Sequence, residues 1–161
     1  MDIWPHDMRL HHVGVITGNL EGSMHLYATL GYTASAIYAD PLQKARIVLM
    51  QKAHEPLVEL IEPDSPDSPA ASWIQRIAAG LYHTCYEVDD LEAMVAFLRR
   101  HRLFPVIKPV PAVAFNMRRV VFLWGESSGL LELLEALPRE ECPAVTSQVM
   151  NSPGMRQRMT A

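Results

Sequence analysis

With 161 residues, 49% of them hydrophobic and 20% charged, the chain has the make-up of one globular unit or of two small halves sharing a core. A net charge of -4 and a longest basic run of only Leu98-Arg99-Arg100-His101-Arg102 argue against a phosphate-neutralising surface, and so against nucleic acid as a partner. No apolar run approaches the roughly 18 residues of a membrane span, Met1 to Arg9 lacks the apolar centre of a signal peptide, and two cysteines make no disulfide framework; a cytoplasmic protein with no membrane partner is expected.

Trp4-Pro5-His6 belongs to a patternless N-terminal arm. Leu10 to Thr17 is apolar and β-branched, and a two-residue period puts His12, Gly14 and Ile16 on one strand face with His11, Val13 and Val15 on the other. Gly14 leaves room beside a polar face. Asn19 is placed to cap a helix running to about Leu30, with Leu20, Met24, Tyr27 and Leu30 along one side and Gly31 ending it. Tyr32 to Ala39 and Arg46 to Lys52 read as strands separated by Asp40-Pro41, and Leu57 to Ile61 as a fourth. On that fourth strand Glu59 shares its face with Leu57 and Ile61, and a carboxylate so placed needs a compensating partner.

Pro63 to Pro69 is a Pro/Asp/Ser linker, after which Pro69 can open a short helix reaching Ala78. The next strand is Leu81 to Val88. Asp89 with Glu92 resembles a capping box, and Leu91, Met94, Val95 and Leu98 form the apolar stripe of the helix that follows. Phe104 to Ile107, Arg119 to Trp124 and Leu130 to Ala136 supply three further strands. From Pro138 to Ala161 the chain is polar and aperiodic and reads as a tail.

These elements repeat. An offset of 71 carries His12 onto His83, Asn19 onto Asp90, Leu20 onto Leu91 and Glu21 onto Glu92, while Val58-Glu59-Leu60-Ile61-Glu62 returns as Leu131-Glu132-Leu133-Leu134-Glu135 at an offset of 73. The expected architecture is α+β: two βαβββ modules, about 9–62 and 80–137, forming a curved, cup-shaped mixed sheet within one domain spanning 1–137. First-strand histidines and last-strand glutamates then converge in one cleft. His12, Glu59, His83 and Glu132 are therefore candidate ligands for one divalent ion per chain. Imidazole nitrogen with carboxylate oxygen suits zinc, nickel, cobalt, manganese or iron, and the ion would offset the burial of both glutamates. Glu62 and Glu135 also echo one another but fall on the opposite strand face, as outward charges, and alternation places His11 beside the helices.

With those motifs in hand, Leu10-His11-His12-Val13-Gly14-Val15, Gly80 to Ala93 and Gly129-Leu130-Leu131-Glu132-Leu133 resemble the vicinal-oxygen-chelate superfamily of glyoxalase I, methylmalonyl-CoA epimerases, extradiol dioxygenases and bleomycin-resistance proteins. The likeness covers about Leu10 to Leu137 and is nearest in appearance to the epimerases. It implies the same four ligands, a homodimer, and polarisation of a small carbonyl substrate with an enolate formed at its α-carbon. It also marks departures. The epimerase's separate general-base glutamate aligns with Ile47, and the loops expected near an acyl-CoA are replaced by Val113-Ala114-Phe115-Asn116 and Trp124-Gly125-Glu126, so a substrate other than methylmalonyl-CoA is expected.

With Ile47 inert, the base falls to a ligand carboxylate, and the resemblance to glyoxalase I, whose counterpart is both ligand and proton acceptor, ranks Glu132 first and Glu59 second. Tyr38, Phe115 and Trp124 are expected near the cup and imply a greasier substrate than a short diacid, and the resemblance makes Arg119 a candidate anchor for an anionic group. Isomerisation, epimerisation, lyase or cyclisation chemistry is compatible. Two alternatives use the same residues: a non-haem iron dioxygenase built on His12, His83 and Glu132, against which Glu59 counts as a fourth ligand, and a drug-binding protein without chemistry, whose family counterparts generally lack the full ligand set.

Overall fold

Strand β1 (Arg9–Thr17) and helix α1 (Leu20–Thr29) form where the pattern places them, and Asn19 caps the helix by accepting the Gly22 N–H at 2.9 Å. The structure is a computed structural model that describes residues 8–138; the arm expected around Trp4 and the tail beyond Pro138 lie outside the described residues. The first module continues with β2 (Thr33–Ala34), β3 (Tyr38–Asp40), β4 (Ala45–Gln51) and β5 (Leu57–Pro63). A short α2 (Ala71–Ile77) links to the second module, which runs β6 (Ala79–Val88), α3 (Leu91–Arg100), β7 (Phe104–Pro105), β8 (Val110–Ala112), β9 (Arg118–Gly125) and β10 (Gly129–Glu135).

All ten strands belong to one open mixed sheet ordered β2-β4-β5-β1-β6-β10-β9-β7, with β3 added to β4 and β8 to β9. The order is symmetric about the antiparallel β1–β6 seam, and β5 and β10 lie parallel to β1 and β6 on either side of it. Eight strands become ten because the second strand of each module is interrupted. At Ser35 the hydroxyl, rather than a regular ladder carbonyl, accepts the Leu49 N–H, and in the other module Pro109 has no N–H to offer a neighbour. Helix α3 is capped by Asp90, whose carboxylate accepts the Ala93 N–H at 2.8 Å, rather than by the expected Asp89.

Two apolar layers sit behind the sheet. Val48, Met50, Val58 and Leu60 pack with Leu20 of α1, and Val121, Leu123 and Leu133 pack with Leu91, Met94, Phe97 and Leu98 of α3. Each helix start is also tied to the sheet by a triad the repeat predicts once it is seen. Arg46 joins Glu21 to Glu62, and Arg119 joins Glu92 to Glu135. The opposite, concave face carries Ile16, Ala45, Ile47, Ile61, Cys85, Val120 and Leu134, and there the candidate ligands project.

Candidate metal centre and the cavity beside it

Four adjacent strands, β5, β1, β6 and β10, each contribute one candidate ligand to the middle of the concave face. Glu59, His12, His83 and Glu132 are all buried. His12 Nε2 lies 3.1 Å from His83 Nε2, 3.3 Å from Glu59 Oε2 and 3.0 Å from Glu132 Oε2; His83 Nε2 lies 3.4 Å and 3.2 Å from the same two oxygens. Donors each about 2.0–2.2 Å from a shared centre stand roughly 3–3.5 Å from their neighbours. The residues therefore fit a divalent ion of the nitrogen- and oxygen-preferring kind. His83 Nδ1 has no hydrogen-bond partner among the described residues, and Glu132 Oε2, though 3.0 and 3.2 Å from the two imidazole nitrogens, makes no hydrogen bond of regular geometry with either, the state of a donor set built for something other than its own members.

The electrostatics agree. Burial works to lower the His12 pKa, but hydrogen bonding and charge from Glu132 and Glu59 outweigh it and push the value up to about 10. For Glu132, burial works upward and is overcome by His12 and His83, which hold the carboxylate well below its usual range. Two buried acids and two buried bases thus neutralise one another, and they do so around a point an ion can occupy.

Gly14 is essential to the packing, because a Cβ at that position would lie 2.2 Å from His83 Cε1. It sits between Glu59 on β5 and His83 on β6; its repeat counterpart, Cys85, sits between His12 and Glu132. The β1–β6 pairing also skips one residue on each strand, His11 on β1 and Tyr82 on β6. The offset relating His12 to His83 relates these two as well. A bulge breaks the alternation locally, so His11 does not sit among the helices as expected. Its Nδ1 lies 2.9 Å from His12 Nδ1, and its ring meets Phe115 edge to face. Tyr82 likewise turns to lie against the His83 ring.

Of the remaining expected residues, Phe115 stacks on the His12 ring at a centroid distance of 4.9 Å and an interplanar angle of 20°, and Tyr38 packs on the concave cluster, where β3 pairs with β4. Trp124 lines a cavity of about 490 Å³ at one end of the cup, together with Ala45, Ile61, Trp73, Tyr82 and Phe122. Arg119 is not brought to the site: its guanidinium belongs to the triad on the helix side. Ile47 is buried among the apolar residues of the concave face, where it can take no proton.

Tyr82, Trp73, His11 and Arg118 were not singled out as site residues by sequence. Only the first and third left a signal, as repeat counterparts immediately preceding the two ligand histidines. Arg118 is nearly buried and reaches Glu87 Oε2 at 2.7 Å, the Phe115 carbonyl at 3.3 Å and His11 Nε2 at 3.2 Å.

Comparison with known proteins places these features in a family. The model of the Glyoxalase/Bleomycin resistance protein/Dioxygenase superfamily matches residues 11–122. The chain is 30% identical over 132 residues to the mitochondrial methylmalonyl-CoA epimerase of Homo sapiens, covering 80% of this chain and 74% of that one. It is 31% identical over 117 residues to the ethylmalonyl-CoA/methylmalonyl-CoA epimerase of Cereibacter sphaeroides, covering 71% of this chain and 87% of the relative. The fold superimposes on methylmalonyl-CoA epimerase from Mycobacterium tuberculosis with a TM-score of 0.71 at 24% identity, over 80% of this chain and 88% of that one. These relatives give no support to the exclusion of methylmalonyl-CoA drawn from Ile47, and none of them is named as a lyase. Among the described residues no helix is long and apolar enough to cross a membrane.

Proposed function

Because the chain belongs to the glyoxalase/bleomycin resistance/dioxygenase superfamily, we propose that it is a metal-dependent epimerase acting at the α-carbon of an acyl thioester. His12, Glu59, His83 and Glu132 would hold one divalent ion, whose identity is open among zinc, nickel, cobalt, manganese and iron. The observation that carries this reading is the spacing of their donor atoms, 3.0 to 3.4 Å, in a buried cluster drawn from both modules. A bound ion would supply Lewis acidity toward the substrate carbonyl.

The rest falls to the chain's own side chains. Glu132 is assigned as the base: its carboxylate takes the α-proton, the C–H electron pair becomes the C=C bond of an enolate, and the carbonyl π pair passes to the oxygen. Glu59, the counterpart of Glu132 in the other module, is assigned to the second transfer: entering the step protonated from solvent, it gives that proton to the opposite face and is left as the carboxylate, while the proton on Glu132 returns to solvent. Phe115 fixes the His12 ring by stacking, and the apolar concave face excludes competing water. The base rests on a ligand carboxylate because Ile47 offers none, and methylmalonyl-CoA and ethylmalonyl-CoA are both admitted as trial substrates. The proposal includes a homodimer, in keeping with the family resemblance, and a cytoplasmic location, in keeping with two cysteines that make no disulfide framework.

The test combines metal content with isotope exchange. Reconstituted protein should hold about one ion per chain, and Glu132→Gln should lower wash-in of solvent deuterium at the substrate α-carbon by about 10²- to 10⁴-fold, even at metal concentrations that restore occupancy. No metal uptake on reconstitution, or undiminished exchange in Glu132→Gln, would overturn the assignment.

A further inference from the structure

The two ends of the cup are not alike, and the difference bears on what sits beside the cluster. At one end lies the cavity of about 490 Å³, walled by Trp73, Tyr82, Phe122, Trp124 and Leu130. Trp73 meets Tyr82 at 5.7 Å between ring centroids and Trp124 at 6.1 Å, so the three rings form a continuous wall. The cavity is one ring away from the cluster, because its lining residues Tyr82 and Phe122 each meet the His83 ring at a steep angle, at 5.3 and 5.2 Å between centroids. Of all the lining residues only Lys108, exposed at the rim, carries a charge.

We propose that this cavity is the site for a ring-sized apolar substituent on the substrate's reacting carbon, so that the chain prefers α-aryl or bulky α-alkyl thioesters over α-methyl ones. The size argues for it: the space lies within the roughly 300–1,000 Å³ that holds a drug-sized group, whereas a methyl group leaves nearly all of it unfilled. The chemistry argues likewise. Four aromatic rings and no buried charge reward an apolar, flat group and penalise an ionised one. Position completes the argument, since a group leaving the α-carbon beside His83 meets Tyr82 and Phe122 first and Trp73 and Trp124 beyond them.

The inference rests on the thioester reading above, and its experiment separates the two. Metal-reconstituted full-length protein is titrated with methyl-, butyl- and benzyl-substituted malonyl thioesters, following the fluorescence of Trp73 and Trp124 for binding and deuterium wash-in for turnover. Benzyl is expected to exceed methyl by about 10- to 200-fold in affinity, the range that apolar pocket contacts give. Trp124→Ala should shrink that ratio by removing a wall, and Ala45→Leu should shrink it by filling the space; the exposed position of Trp124 keeps the first variant soluble if the second fails to fold. Equal or tighter binding of the methyl compound overturns the inference. A strong benzyl preference without exchange of any compound upholds the cavity's ligand class and overturns the epimerase reading instead.

Discussion

Ala45 and Arg118 occupy equivalent places in the repeat and do different things there. Ala45 stops at its Cβ on the wall of the cavity; Arg118 extends a guanidinium that is fastened to Glu87, the Phe115 carbonyl and His11. The two bulged residues differ as well. Tyr82 lays its ring against His83, and His11 turns a nitrogen to His12. The ligands and the strand irregularities are thus alike in the two modules, and what surrounds them differs: Tyr82 helps to line a cavity, whereas His11 is held by Arg118 of the other module.

That contrast can be broken most severely at Gly14. Gly14→Val drives a side chain into the His83 ring, and metal affinity should fall by at least about 100-fold, the upper end of what disturbing a ligand's surroundings costs. Cys85→Ala, at the equivalent position, only shortens a side chain and should change affinity far less; equal losses in a chelator competition would mean that the two positions do not play the unequal parts described here. Next in size is Arg118→Ala, which strips a nearly buried cation of its carboxylate, carbonyl and imidazole partners. A loss of about 2–3 kcal/mol in urea unfolding is expected from charged hydrogen bonds of this kind. Stability within 0.5 kcal/mol of wild type, the ordinary range for surface changes, would show that Arg118 holds nothing in place.

The broadest effect, reached only gradually across several pH units, is the pH response. In the metal-free protein the His12 pKa is raised from 6.5 to about 10, so the proton it holds contributes stability that is fully present below pH 6.5 and is lost as the pH rises through about 10. An incoming ion must displace that proton. Metal affinity should therefore rise by up to about tenfold per pH unit for each proton released, and the metal-free protein should lose melting temperature between pH 7 and 10. Proton release can be read by calorimetry in buffers of different ionisation enthalpy; uptake without any release would contradict the charge balance drawn around His12.

The sequence showed its central strands clearly. Alternation correctly turned His12, Gly14 and Ile16 inward with Glu59, and the repeat supplied His83 and Glu132 at matching points. Where it misled, the cause was local. A bulge adds one residue without a compositional mark, so strict alternation sent His11 to the helices. The interrupted strand at Tyr32 to Ala39 depends on a serine hydroxyl substituting within a ladder, which no periodicity records. Arg119 looked available because a lone strand arginine carries no address, yet the repeat held one: Arg46 stands at the equivalent position and binds its own pair of glutamates. Trp73 was beyond reach because α2 has no counterpart among the described residues of the second module, leaving its place above the cavity to tertiary packing alone.

The β1–β6 seam joins two halves through antiparallel strands, and the donor cluster spans it, with His12 and Glu59 from one side and His83 and Glu132 from the other. An ion gripped in this way is also a rivet. Whatever free energy it gains on binding is spent against separation of the halves, so a chain cut between β5 and α2 should reassemble more tightly with metal than without it, and the gain in fragment affinity should equal the ion's preference for the joined form.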